Sequence, residues 1–241
     1  MKLIRKSNED EMILEFLKGE LNSKRFNGSL DNIINDLGLD SSIIFNGNIK
    51  NKKENLDRLN IMKKFRGYPD NGLFENFPKI SEWKYLELDE KDIDNIYYID
   101  YDYWNELSNG TSKPVEAAKV INSGREIYNV SNQPFFDGFE YNKANKFPPI
   151  ILITCNNEKF LIIEGHSRMT IYGFNPSKLN GTYAYVGYTT ENEMRKYDQR
   201  MLIGENVKTR RKWRTTRGLG YQQILARCRN CARGHRLFGM I

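Results

Sequence analysis

The chain has 241 residues, 39% of them hydrophobic and 12% aromatic, which suffices for a packed core and excludes wholesale disorder. No apolar run reaches the length of a membrane span, and "MKLIRKSNEDEM" lacks the apolar centre of a signal peptide, so a soluble cytoplasmic protein with no membrane partner is expected. The formal charge is +6, but residues 208–241 alone hold eight Arg and two Lys with no acid, +10, leaving 27 basic against 31 acidic residues, −4, in the rest. The body is mildly acidic, which argues against a general DNA-backbone binder.

In chain order, Ser7 is positioned to cap a helix beginning at Asn8, with acids in its first turn and Met12, Ile13, Phe16 and Leu17 on one face. A second helix is predicted over Leu30–Leu37, stopped by Gly38, and a third over Lys52–Phe65. Residues 1–66 thus read as a helical preface. "RGYPDNGLFENFPK" reads as loop from its Gly, Pro and Asn content.

From Trp83 the period changes to that of strands. "WKYLELD" alternates, and "NIYYIDYDYWNEL" follows, dense in aromatics and acids. "KPVEAAKVINSG" is a helix with Pro114 in its first turn and Gly124 at its end, while residues 125–146 are polar and irregular. "PPIILITC" and "KFLII" form two strands joined by "NNE", a hairpin signal. "SRMTIYGF" is a short helix that Pro176 cannot continue, and "TYAYVGY" is the last strand.

Between the second hairpin strand and that helix stands "EGHSR", Glu164 to Arg168. The first turn of a helix offers free N–H groups and a positive dipole end, so it receives anions. Gly165 allows close approach and positive φ, and Arg168 is able to fork onto two phosphate oxygens. His166 can move a proton near neutral pH, and Glu164 suits a Mg²⁺ ion or acts as base toward a hydroxyl nucleophile. Together these residues predict a small phosphate-handling site. The plainer reading of the same letters is a tight turn with Arg168 in a surface ion pair; the flanking strand and helix favour function.

The order "PVEAAKVINSG", "PPIILITCNNEKFLIIEGHSRMTIYGF", "TYAYVGY" resembles the ParB/sulfiredoxin superfamily, over roughly residues 83–190 and most specifically over 148–174. The resemblance implies an α+β fold, a small mixed sheet with packed helices, preceded here by the helical N-terminal segment. It divides the chain into a helical segment 1–82, a core 83–198 and a basic tail 199–241. It also implies that the acid-Gly-x-x-Arg turn binds nucleotide phosphates, with "EGHSR" closest to the version in free-serine kinases. The chain further resembles an uncharacterised bacterial branch through its "FRGY", "YIDYDYWNEL" and "EGH-R" blocks.

Departures limit what carries over. Sulfiredoxins need a cysteine in the turn, where this chain has His166 and Ser167, and Cys155 stands on the preceding strand. The helix-turn-helix domain and the Gly-Glu-Arg-Arg-like turn of partition proteins are not evident. The insert at 125–146 is long for the family, and the kinase's serine-binding region has no clear match.

The expectation is therefore a nucleotide-binding protein carrying out Mg-dependent phosphoryl transfer or nucleotide hydrolysis. ATP or CTP with Mg is the expected cofactor, and the acceptor, a small molecule or a protein, is left open. Gly165, Ser167 and Arg168 would bind the nucleotide, Glu164 would hold the metal, and Glu164, His166 and Glu106 would act in catalysis. Glu106 is chosen from Asp100, Asp102 and Glu106 because it sits between Trp104 and a Ser-Asn-Gly-Thr turn. Tyr101, Tyr103 and Trp104 could stack a base, though such aromatics usually pack. The alternatives are a ParB-like nucleic-acid-binding regulator or nuclease, and a module whose turn is structural.

The tail reads either as a basic arm for nucleic acid or as a foreign or frame-shifted end. The second is favoured because "RCRNCARGHRLFGMI" has neither helical nor strand period. Cys228, Cys231 and His235 lack a nearby fourth ligand for zinc.

Overall fold

A computed structural model describes residues 1–21 and 28–202. Six strands form one mixed sheet: β1 (Lys2–Ser7), β2 (Glu82–Leu88), β3 (Ile96–Tyr97), β4 (Ile150–Thr154), β5 (Phe160–Glu164) and β6 (Thr182–Tyr188). Their spatial order is β1-β2-β6-β4-β5-β3. The β6–β4 and β5–β3 pairs are parallel and the others antiparallel.

The helices divide between the two faces. On one lie α1 (Glu9–Leu21), α2 (Ser29–Asp36), α3 (Ser42–Phe45) and α4 (Lys52–Arg66). On the other lie α5 (Asp102–Leu107), α6 (Pro114–Asn122), α7 (Gln133–Ala144) and α8 (His166–Phe174). The central strands decide this layering. All five residues of β4 are buried, so the strand needs cover on both sides. Ile150 and Leu152 join Leu107, Ile121, Met169 and Tyr172 in one core, whereas Ile151 and Ile153 join Met12, Phe16, Leu30 and Ile61 in the other. The two-residue period of a strand sorts one apolar run into two cores.

Several predicted elements are present: the β4–β5 hairpin, α6 with Pro114 in its first turn and Gly124 at φ 78°, and α8 ending before Pro176. At α4, the Asn51 side chain accepts from the N–H groups of Lys53 and Glu54, and Gly67 at φ 79° ends the helix. The mixed α+β class holds.

Other elements differ. The N-terminal region is not wholly helical: Lys2–Ser7 pairs antiparallel with β2 at the sheet edge. This strand is exposed at five of its six positions, so no buried face imposed alternation on its sequence. Asn8, not Ser7, caps α1, accepting from the Glu11 N–H at 3.0 Å, while the Ser7 hydroxyl donates to the Glu11 carboxylate at 2.7 Å. The segment read as irregular contains α7, which buries Phe135, Gly138 and Asn142. A Cβ on Gly138 would lie 2.3 Å from Ile171 Cδ1, so this glycine sets how closely α7 meets α8.

Past β6, α9 (Glu191–Tyr197) and a 3₁₀ turn at Gln199–Met201 return to the sheet, and Met201 and Leu202 are buried in the α1–α4 core. Buried Arg58 fastens α4 to the α3 loop by donating to the carbonyls of Ile43 at 2.7 Å and Asn48 at 3.2 Å. Among the described residues no helix is long and apolar enough to cross a membrane.

Candidate functional site

The sheet delivers Glu164 to the end of β5, where the pairing register with β4 shifts between Ile151 and Leu152. The shift sets Glu164 opposite Ile151, and so toward the α1 layer. Gly165 then takes φ 103°, ψ 20°, and α8 begins at His166. A Cβ on Gly165 would lie 2.6 Å from Ile150 Cγ2, so both conformation and packing require glycine. Among the described residues no side chain caps α8; the first helical bond runs from the Met169 N–H to the Gly165 carbonyl at 2.9 Å. The N–H groups of the turn before it therefore have no carbonyl earlier in the helix to bond. Ser167 stands in that turn, half-buried.

Arg168 is the brace of this junction. Its Nη1 donates to the carbonyls of Pro148 at 2.8 Å and Pro149 at 2.7 Å, and its Nη2 donates to Glu164 Oε1 at 3.0 Å. The two side chains are 16% and 13% exposed. The guanidinium thus ties the entry to β4, the exit of β5 and the start of α8 together. The fork expected to meet phosphate meets the protein's own oxygens.

The Trp104 indole lies nearly parallel to the His166 ring at 5.3 Å and to the Tyr98 ring at 4.8 Å. Tyr98 is fully buried, its hydroxyl 2.6 Å from Thr170 Oγ1, and burial pushes that phenol far above its ordinary pKa. The tryptophan of the predicted stacking trio therefore meets the turn, whereas Tyr103 is buried in the α5–α8 core.

Glu106 is exposed and pairs at 3.8 Å with Arg125, which is also exposed. It stands two positions from Trp104 on α5, and residues so spaced do not share a helix face. The structure thus holds Glu164 and Arg168 together on the α1 side of the turn, sets His166 against Trp104 and Tyr98 on the other, and directs Glu106 elsewhere. Asp100 accepts from Asn105 Nδ2 at 2.7 Å and faces Arg200 at 3.8 Å, while Asp102 is exposed.

The local sequence gave no sign of two further neighbours. Arg200 reaches back to donate to the Tyr98 carbonyl at 3.1 Å and to Ser112 Oγ at 2.8 Å, with Asp198 beside it. Glu15 of α1 lies near enough to Arg168 and Lys18 for their charges to act on it, though burial dominates and raises its pKa. Cys155, half-buried just past β4, is likewise raised by burial, the reverse of what a reactive thiolate needs.

Among the described residues no group of three or more His, Cys, Asp or Glu stands together to hold a metal. Glu164 is then a single carboxylate, which fits Mg²⁺ only when phosphate oxygens complete the shell. Cys228, Cys231, His235 and the basic residues of 208–241 lie outside the described residues. Comparison with protein-family models, curated proteins and solved structures finds no match for this chain.

Proposed function

We propose that the protein binds a nucleoside triphosphate at the β5–α8 turn and transfers or hydrolyses its terminal phosphoryl group. The observation that carries this reading is the uncapped start of α8 on left-handed Gly165. Backbone N–H groups and the Ser167 hydroxyl receive the phosphates there. Arg168 acts mainly by holding the junction rigid. His166, set beneath Trp104, is the proton-moving group at the turn. Glu164 would hold Mg²⁺ together with the phosphates, and the ion would supply neutralisation of their charge. The resemblance of this turn to the ParB/sulfiredoxin superfamily points the same way and makes ATP and CTP the first nucleotides to try.

The competing reading, a purely structural turn, draws on the same brace: Arg168 satisfies both terminal nitrogens internally. Ser167→Glu separates the two. A carboxylate in the first turn of α8 complements the helix dipole, stabilising by about 0.3–1 kcal/mol, and repels phosphate. Thermal unfolding is followed with ATP, CTP and GTP, each with and without Mg²⁺. One nucleotide at 100 times its Kd stabilises by about 2.7 kcal/mol, a rise in Tm of about 5–10 °C for a chain of this size. Ser167→Glu should abolish that rise without lowering the ligand-free Tm. No rise with any nucleotide, or an undiminished rise in the variant, overturns the reading.

A further inference from the structure

The pairing register sets five side chains at one level across the sheet. Arg5 on β1 stands opposite Tyr85 on β2, and Tyr85 opposite Tyr185 on β6. Tyr185 lies beside Ile151 on β4, and Ile151 opposite Glu164 on β5. Tyr85, Tyr185 and Ile151 all face the α1 layer. One stripe of α1 follows the row: Glu11 pairs with Arg5 at 2.5 Å, the charge of Glu15 acts on Tyr85 and Tyr185, and Gly19 stands over Arg168 and Glu164. These three helix positions are four residues apart and share a face.

Beside this row stands Tyr183, two residues from Tyr185 on the same side of β6 and 37% exposed. Its ring stacks on Tyr85 at 5.2 Å and 13°. From the strand on the other side, the Arg5 guanidinium lies 4.9 Å from the Tyr85 ring centre. Three planar groups thus stack across three strands, and the last ring meets solvent. Glu15 is half-buried beside Tyr85 and Tyr185, and no hydrogen bond to it is found among the described residues. Two strand spacings, about 10 Å, separate Tyr185 from Glu164, within reach of a nucleoside triphosphate whose phosphates lie at α8.

We propose that this rim is the base platform of the nucleotide site, with a guanine stacked on Tyr183 and its edge on Glu15. The proposal rests on the reading of the β5–α8 turn as a phosphate site. A carboxylate only accepts, so it selects an edge with adjacent donors. Guanine offers N1–H and N2–H side by side, a fork that both carboxylate oxygens accept. Adenine and cytosine place an acceptor beside their amino group, and that acceptor would face a carboxylate oxygen.

The test is equilibrium binding of the full chain to GTP, ITP, ATP and inorganic triphosphate, with Mg²⁺ present. GTP should bind tightest. ITP, which lacks the N2 amine, should bind about tenfold weaker, and ATP weaker still. Tyr183→Ala should weaken GTP about tenfold and leave triphosphate unchanged. Glu15→Gln should erase the preference for GTP over ITP without lowering stability at neutral pH, an outcome that mere structural damage would not give. If triphosphate binds but the bases are not discriminated, or if Tyr183→Ala binds GTP as wild type does, the platform is overturned and the phosphate reading stands. If neither triphosphate nor any nucleotide binds, both are overturned.

Discussion

Replacing Arg168 by alanine tests whether the junction is held as described. The guanidinium donates to two proline carbonyls and to Glu164, and neither charged side chain exceeds 16% exposure. Two hydrogen bonds from a charged donor are together worth about 3 kcal/mol, and stranding Glu164 without its counter-charge carries the loss toward about 5 kcal/mol. For a chain of this length that corresponds to a fall in Tm of about 10 °C or more. Urea unfolding followed by circular dichroism and by tryptophan fluorescence measures the loss. Arg168→Lys keeps the charge but not the planar fork and should fall between wild type and alanine. Adding Glu164→Gln to the alanine variant should recover part of the loss, because the stranded charge is gone. An Arg168→Ala protein within about 0.5 kcal/mol of wild type, inside the range of ordinary surface changes, would falsify the brace. Loss of ligand in Arg168→Ala therefore cannot by itself identify a phosphate contact, which is why Ser167 is the better probe.

Gly165→Ala combines strain at positive φ, about 1–2 kcal/mol, with a 2.6 Å approach to Ile150 Cγ2, and a total loss of about 3 kcal/mol is expected. In an Ile150→Ala background the same substitution should cost only the strain, and equal costs in both backgrounds would rule out the clash. Arg58→Met leaves the Ile43 and Asn48 carbonyls without their donor and should destabilise by about 3 kcal/mol, read by thermal unfolding; a neutral effect would show that the α3 loop is held by other contacts. Glu15 titrates above its ordinary carboxyl value because burial outweighs Lys18 and Arg168, with Tyr85 and Tyr185 also facing it. Its folded form binds the proton more tightly than the unfolded chain, so its contribution is complete below about pH 4.5 and is lost as pH rises through the raised value. Glu15→Gln should thus be more stable than wild type at pH 7 and equal to it near pH 4; equal stability at both pH values would refute the burial.

The sequence carried most of the buried strands, because β4 and β5 are apolar up to their last residues and the "NNE" between them permits only a short turn. It carried the glycine as well: Gly165 stands where a strand must become a helix within one residue. It did not show β1, since an edge strand exposed at five of six positions has no buried face to impose alternation. Nor did it show α7, whose stretch read as polar and irregular although Pro134 stands in the helix's first turn and Gly138 lets Ile171 approach. The role of Arg168 was legible only in part. An ion pair for it was expected at the surface with no partner named, whereas the pair it makes with Glu164 is mostly buried, and the Pro148 and Pro149 carbonyls are backbone atoms that no residue type announces. The tyrosine rim depends on register between β2 and β6, strands far apart in the chain, so composition alone could not assemble it.

The strand order has a consequence for how the chain is made. Among the described residues, β2 and β4 are joined in the sheet only through β6, the last of the six strands in the chain. Until Thr182–Tyr188 leaves the ribosome, the chain holds two unjoined pieces, β1–β2 and β4–β5–β3, each presenting an open strand edge. Such edges invite pairing with other nascent chains, and contacts between distant segments form slowly. A product terminated before residue 182 would keep most of its apolar residues and lack the strand that closes the sheet over them. Translational fidelity near the end of the domain thus separates a folding protein from an aggregating one.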